Sequence, residues 1–457
     1  MKKNIQKIIL SFFLLILFSG CEKFLEEKSD KRLTVPTTIE DFQAMLNSVG
    51  NLNTNFIAAG EVSADDYYIS DEDFNTLEYE SDKRLYTWQP DYVTRTQSSA
   101  GDEWYNLYKT IYVCNSVLQG LVDNDLNGGE ADNIRGQALT FRAVRYLDGV
   151  QIWSSAYNKQ TASTDLGMVL RVHPDMSIPS VRSSVQQTYD LIIKDLTDAI
   201  AVLNDNPSSV TLPGKAAAHG LLARTYLIMG EYEKAKQNAE VTLKSTAAKV
   251  IDFNTLDPKV DFPIPTVNET SEETIFWLGM FYAYPLTQTA SKIAQPLYNL
   301  YDEGDLRKII YFGENTDNTY FFKGTHFGYY NLMNSLTPAE MLLIVAECNA
   351  RLGNLSNAAV ALNQLLIKRW RTADFKPYTF TDNGLALRTI LEERRKELVF
   401  RGLRWSDIKR LNRDGYNISL TRTVHGQTFT LPPNDLRYAI AIPETVVETS
   451  GIQQNPR

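Results

Sequence analysis

ILEERRKELVFRGLRWSDIKRLNRDG, residues Ile390 to Gly415, is the stretch on which the fold turns. On physical grounds it predicts a charged helix in which opposite signs sit three and four residues apart. Glu393 reaches Lys396, with Arg394, Arg395 and Glu397 interleaved. The helix is expected to stop at Gly402 and to restart with Trp405 on an apolar face. Periodicity alone says no more than that.

Upstream, helical spacing dominates from about Asp102 to Lys244 and again from Leu336 to Arg413. Between Gln186 and Leu203 the apolar positions are Tyr189, Ile192, Ile193, Leu196, Ala199, Ile200 and Leu203, the three-and-four pattern of one helix face. Trp104, Leu107, Tyr108, Ile111, Asn115 and Leu118 mark an earlier face, and Ile134, Ala138, Phe141, Arg145, Leu147 and Trp153 the next. LLARTYLIMGEYEKAKQNAEVTL and LIVAECNARLGNLSNAAVALNQL align at an offset of 123 residues, placing Ala223 on Ala346, Gly230 on Gly353, Tyr232 on Leu355 and Ala235 on Ala358. Small alanines let two helices approach closely, and a glycine at the turn takes a backbone conformation other residues resist. Both segments resemble tetratricopeptide repeats.

The C-terminal string strongly resembles the signature of the SusD/RagB family of outer-membrane nutrient-binding lipoproteins. It is met by Glu393, Arg394, Arg395, Glu397, Leu398, Phe400, Gly402, Arg404, Trp405, Asp407, Lys409 and Arg410, with Arg401 where Glu is usual and Ile408 for Leu. LTVPTTIEDFQAMLN is similar to the family's opening segment, WYNLYKTIYVCNSVL and IRGQALTFRAVRYLDGVQIW to its first helix pair, and IPETVVETSGIQQNPR to its terminal motif, where Arg457 replaces Gly. The resemblance implies a mainly α fold in which tetratricopeptide-like helical hairpins form a scaffold, beside a large irregular, loop-rich half with a few short strands. It further implies a non-catalytic lid on a SusC-like TonB-dependent transporter, capturing oligosaccharides or, in some branches, peptides; the other readings are a non-catalytic tetratricopeptide interaction protein that grips a peptide and, last, a glycoside hydrolase. Glu393 and Trp405 are structural in such a fold and are not carried over as ligand contacts.

The N-terminus suits that reading. Lys2, Lys3 and Lys7 precede a run from Ile8 to Phe18 that is apolar apart from Ser11, a positive region and a short hydrophobic region as in a secretory signal. A spanning helix needs about 20 apolar residues, more than this run offers. Phe18 fits an ordinary cleavage site badly. The segment instead resembles a lipobox ending at Cys21, although Leu17 stands one place further from the cysteine than is usual. The chain is therefore expected to lose residues 1–20 and to be lipidated at Cys21, the other reading being a secreted protein with an incidental cysteine. Residues 21–35, charged from Glu22 to Asp30, form an expected tether; its acids just after the cysteine resemble those of lipoproteins that Bacteroidetes export to the outer face of the outer membrane, and fit a plain solvated linker equally. The mature body, 21–457, is expected as one domain with an N-terminal helical part (36–250), a loop-rich part (251–335) and a C-terminal helical part (336–457).

The formal net charge is −9, and loss of residues 1–20 takes away three lysines and no acid, leaving −12. An acidic chain with no basic block is a poor partner for nucleic acid. Cys114 and Cys348, both in predicted helices, are expected as buried free thiols. His173, His219, His326 and His425 form no zinc-holding pair, and neither a nucleophile elbow nor a phosphate loop is present. No catalytic residue, metal or cofactor is expected, though a glycosidase's two carboxylates leave no readable spacing. Sugars are apolar on their faces and polar at their edges, so a capture site needs exposed rings backed by polar side chains. In the loop-rich stretches Tyr67, Tyr68, Trp88, Tyr282 and Tyr284 are the candidate stacking rings, with Asp66 and Gln288 as polar partners. Each ring has a core alternative: Trp88 beside Trp104, and Trp277 on a strand-like alternation. Tyr329 and Tyr330 after Gly328 fit either role.

Overall fold

The structure is a computed structural model and describes residues 35–91, 103–246, 248–267 and 270–457. Cys21, the signal and nearly all of the tether lie outside the described residues. The scaffold runs through α1 (Ile39–Leu46), α2 (Glu103–Asp123), α3 (Gly129–Trp153), α4 (Val185–Val202), α5 (Lys215–Met229), α6 (Tyr232–Leu243), α7 (Pro338–Arg351), α8 (Leu355–Leu366), α9 (Asn383–Glu397) and α10 (Arg404–Arg413). Local chemistry sets the ends. Ser184 and Gln187 form a capping box at the start of α4, and Thr337 caps α7 with Pro338 in its first turn.

Both predicted repeats are helical hairpins, α5–α6 and α7–α8. Ala223, Ala235, Ala346 and Ala358 are fully buried where the paired helices meet. Gly230 and Gly353 take φ of 81° and 80°, the left-handed conformation expected of the turn. Cys114 and Cys348 are buried and form no disulfide among the described residues. A single apolar cluster runs from Phe42 to Ile452, joining the helical and loop-rich parts in one core.

Strands among the described residues are short and paired in twos, among them β1 (Tyr67–Tyr68) with β4 (Lys292–Ile293), β2 (Leu166–Val169) with β3 (Arg182–Ser184), β5 (Phe312–Glu314) with β6 (Tyr320–Phe322), and β7 (Leu420–Val424) with β8 (Gln427–Leu431). Two of these pairs interrupt stretches that the sequence predicts as helical. Residues 154–184 break the helical run, with Pro174 and Pro179 in the loop and Gly167 in β2. In the C-terminal part β7 and β8 turn over His425 and Gly426, both at positive φ.

The stretch Ile390–Gly415 behaves differently from a solvated charged helix. Lys396 does pair with Glu393 at 2.8 Å, but most of its charges go inward to distant partners. Arg410 grips both oxygens of Glu347 at 2.6 and 2.8 Å and Asp407 at 2.7 Å, and Arg394 takes the other Asp407 oxygen at 2.8 Å. Glu397 receives Arg369 at 2.9 Å, while Arg307 bonds Glu393 and Asp305. Arg395 and Arg404 hold Asp66 and Asp65, at 2.8 and 2.7 Å. The network thus ties α7, α9 and α10 to one another, fastens α9 to the loop-rich part at Asp305 and Arg307, and fastens both α9 and α10 to Asp65 and Asp66 beside β1. Phe400 and Gly402, at φ 58° and 68°, turn the chain between them, and Trp405 is buried with its Nε1 donating to Tyr438 O.

One acid at this junction carries a pH dependence. Glu61 is buried, accepts from Gly402 N at 2.9 Å through Oε2, and has no hydrogen-bond partner at Oε1 among the described residues. Burial first, and then the neighbouring Asp66 charge, push its pKa up to about 8. A raised folded-state pKa means stabilisation that is complete below the unfolded value, about 4.3, and is lost as pH rises through 8. Glu61→Gln keeps an acceptor for Gly402 without a charge to bury. Melting curves from pH 5 to 8 should show the variant gaining on the parent as pH rises, whereas parallel curves would contradict the assignment.

Candidate functional site

The seven candidate side chains divide by burial. On the two-residue strand β1 successive side chains point to opposite faces, so Tyr67 faces inward and Tyr68 outward at 38% exposure. Tyr67 and Trp88 are corrections to the expected ring set. Both are buried around the Arg422 guanidinium, which lies 5.0 Å from each ring and 3.9 Å from that of Tyr86. Their faces are already occupied by a cation. Trp88 also donates its Nε1 to Ser63 O at 2.9 Å, while the ring of Trp104 packs on Trp153 and Tyr108. Asp66 is likewise a correction as a ligand partner: it is 1% exposed and held by Arg395. Trp277 is a core residue, as its alternation suggests.

Tyr68, Tyr282, Tyr284 and Gln288 share one region. Tyr282 is 61% exposed, Tyr284 half-buried, and Gln288 donates Nε2 to Phe322 O at 2.9 Å. The segment carrying them runs directly into β4, the partner of Tyr68's strand. Residues 276–281 are extended and pair antiparallel with 331–336 through Phe276–Leu336 and Gly279–Met333 bridges, with Met280 N donating to Leu332 O. Tyr282 lies three residues past Gly279 and Tyr330 three before Met333, so the pairing brings both to the same end.

There the structure adds a ring the sequence reading missed. Phe262 packs 5.2 Å from Tyr330 and 6.3 Å from Tyr329, and the two tyrosines, both more than half exposed, meet edge-on at 4.6 Å. Gly328 at φ 72° makes the turn, and a Cβ there would come within 2.4 Å of Thr266 Oγ1. Gly328 before two tyrosines was the readable signal. Nothing local marks Phe262, which arrives from 67 residues upstream of Tyr329.

Two concavities lie elsewhere. An apolar groove of about 400 Å³ follows the outer face of α2, with Tyr105 and Tyr112 exposed along it and Met176 opposite. A polar cleft of about 650 Å³ opens beneath the C-terminal tail. Among the described residues no group of three or more His, Cys, Asp or Glu side chains is arranged to hold a metal, and no helix is long and apolar enough to cross a membrane.

A family model described as "Starch-binding associating with outer membrane" matches residues 23–227, and the SusD family model matches 338–446. The chain belongs to the SusD/RagB family. It is similar to SusD-like protein P2 of Formosa agariphila, 24% identical over 367 residues that cover 67% of this chain and 71% of that protein. Among solved structures, a SusD superfamily protein of Bacteroides thetaiotaomicron superposes with a TM-score of 0.74 at 21% identity, covering 92% of this chain and all of the other. A protein of Bacteroides vulgatus named a putative sugar binding protein gives 0.73 at 19% identity, covering 93% and 99%. These likenesses establish the helical SusD-like fold. The charged signature residues Glu393, Arg394, Arg395, Glu397, Arg404, Asp407 and Arg410 of this SusD/RagB chain sit in the ion-pair network rather than at the exposed rings.

Proposed function

We propose that this SusD-like protein is lipid-anchored at Cys21 on the exterior face of the outer membrane, where it captures oligosaccharides and hands them to a SusC-like TonB-dependent transporter. It makes and breaks no bond. The observation that carries the reading is the set of exposed rings in the loop-rich part: Tyr329 and Tyr330 with Phe262 packed against them, and Tyr282 on the segment that also carries Tyr284 and Gln288 and leads into the strand paired with Tyr68. Rings of this kind offer apolar faces to sugar C–H surfaces with hydroxyls at their edges. The starch-binding description of one matched family and the name of the Bacteroides vulgatus relative support a carbohydrate over a peptide as cargo. For the transporter, the apolar α2 groove, with Tyr105, Tyr112 and Met176 exposed along it, is the docking face we assign.

The anchor is tested by fractionation. One acyl chain binds a bilayer only marginally, whereas two or three hold it firmly. Cys21→Ala should move the protein from the membrane pellet to the soluble fraction. Recovery of the variant in the membrane would contradict the anchor.

A further inference from the structure

The cleft beneath the C-terminal tail is built from a different chemistry than the ring face. Its floor is α10, which presents Lys409, and its walls and rim carry Asn158, Asp165, Asn434 and Gln453. The tail that roofs it is fixed in place. Asn455 donates to Trp153 O and Ile440 O at 3.0 and 2.8 Å, and Arg182 bonds Gln453 O and Asn455 Oδ1 at 3.1 and 3.0 Å.

Lys409 is the unusual group. It is 4% exposed, and its Nζ donates to Gln151 O at 2.5 Å and Ser154 O at 2.6 Å. An ammonium has three N–H donors, so one is left without an acceptor among the described residues. No carboxylate answers its charge. Asp435 is paired with Arg437 at 2.8 Å, Asp165 accepts the Thr161 hydroxyl at 2.6 Å, and the adjacent Arg413 bonds Asp414 at 2.8 Å. A buried cation without a counter-ion is costly, and a ligand oxygen bearing negative charge would relieve it. Burial alone holds the ammonium's pKa down at about 7.

We propose that this cleft binds a hexuronic-acid residue, its carboxylate received by Lys409 and its hydroxyls by the amide and carboxylate edges of Asn158, Asp165, Asn434 and Gln453. The amides both donate and accept and Asp165 accepts, which matches a sugar's vicinal hydroxyls. Tyr438, the aromatic ring among the lining residues, is 5% exposed, so the cleft holds a polar unit rather than stacking a chain of sugars.

Calorimetric titration of the whole protein with galacturonic acid, galactose and succinate tests this. Galacturonic acid should bind saturably, and galactose and succinate at least tenfold more weakly. Lys409→Met should weaken galacturonic acid at least tenfold. Thr164→Trp, at an exposed rim position that tolerates substitution without refolding the core, should do the same by closing the mouth. Absence of galacturonic acid binding, equal binding of galactose or succinate, or an unchanged dissociation constant in Thr164→Trp would overturn the proposal. Tyr282→Ala with Tyr330→Ala should leave this binding unaltered, so the cleft and the ring face stand or fall separately.

Discussion

Arg410→Ala is expected to destabilise the protein by about 3–5 kcal/mol, the cost of removing one partner from a buried ion cluster. Arg410 is 1% exposed and bridges Glu347 on α7 to Asp407 on its own helix. Burial raises the pKa of Glu347, yet the charges of Arg410 and then Arg351 outweigh it and leave about 2; Asp407, with Arg394 and Arg410 against its own burial, also ends at about 2. A depressed folded-state pKa is stabilisation present above the unfolded value of about 4 and lost as pH falls toward 2. Without Arg410, Glu347 keeps Arg351 but loses its two-pronged partner, so the variant's deficit should shrink as acid protonates the carboxylates. Urea denaturation at pH 7 and pH 4 measures both effects. Arg410→Lys should fall between, since an ammonium cannot reach both Glu347 oxygens and Asp407 in the same planar fork. A loss below about 1 kcal/mol at pH 7 would show that the Arg410 cluster is not what ties α10 to α7.

The second large effect concerns binding. Removing Tyr282 and Tyr330 together should weaken the best-bound oligosaccharide by about a hundredfold, taking roughly 1.5 kcal/mol for each stacking ring and 1.4 kcal/mol per factor of ten. Both rings are more than half exposed, so the double variant should melt with the parent. Trp88→Ala has the opposite signature. It opens a hole beside Arg422 and removes the bond to Ser63 O, so stability drops while the ring face is left in place. The pair of variants separates a ring that grips ligand from a ring that packs the core.

That contrast also marks how far the sequence could be read. Helices α2 to α8 were legible because their apolar spacing, small alanines and turn glycines are local properties, and Gly230 and Gly353 take the backbone conformation their positions predict. The charged pattern of Ile390–Gly415 was legible as a helix, a stop and a restart. Its partners were not, because Glu347, Asp305, Arg369 and Asp65 come from four separate parts of the chain. The same limit governs the site. Tyr67 and Tyr68 are adjacent and identical in type, and only the pairing of β1 with β4 decides which faces inward. Trp88 lost its candidacy to Arg422, a residue 334 positions later whose hairpin folds back over it. Tyr282, by contrast, remained exposed because the extended segment bearing it ends there.

The most direct test of the account is a glycan-array and calorimetric comparison of the purified protein with its Tyr282→Ala, Tyr330→Ala variant, with reducing ends assayed in the same samples. Reversible binding of an oligosaccharide, lost in the double variant, with no new reducing ends released, is the predicted result. Equal affinity in the two proteins, or steady release of reducing ends by the parent, would contradict it.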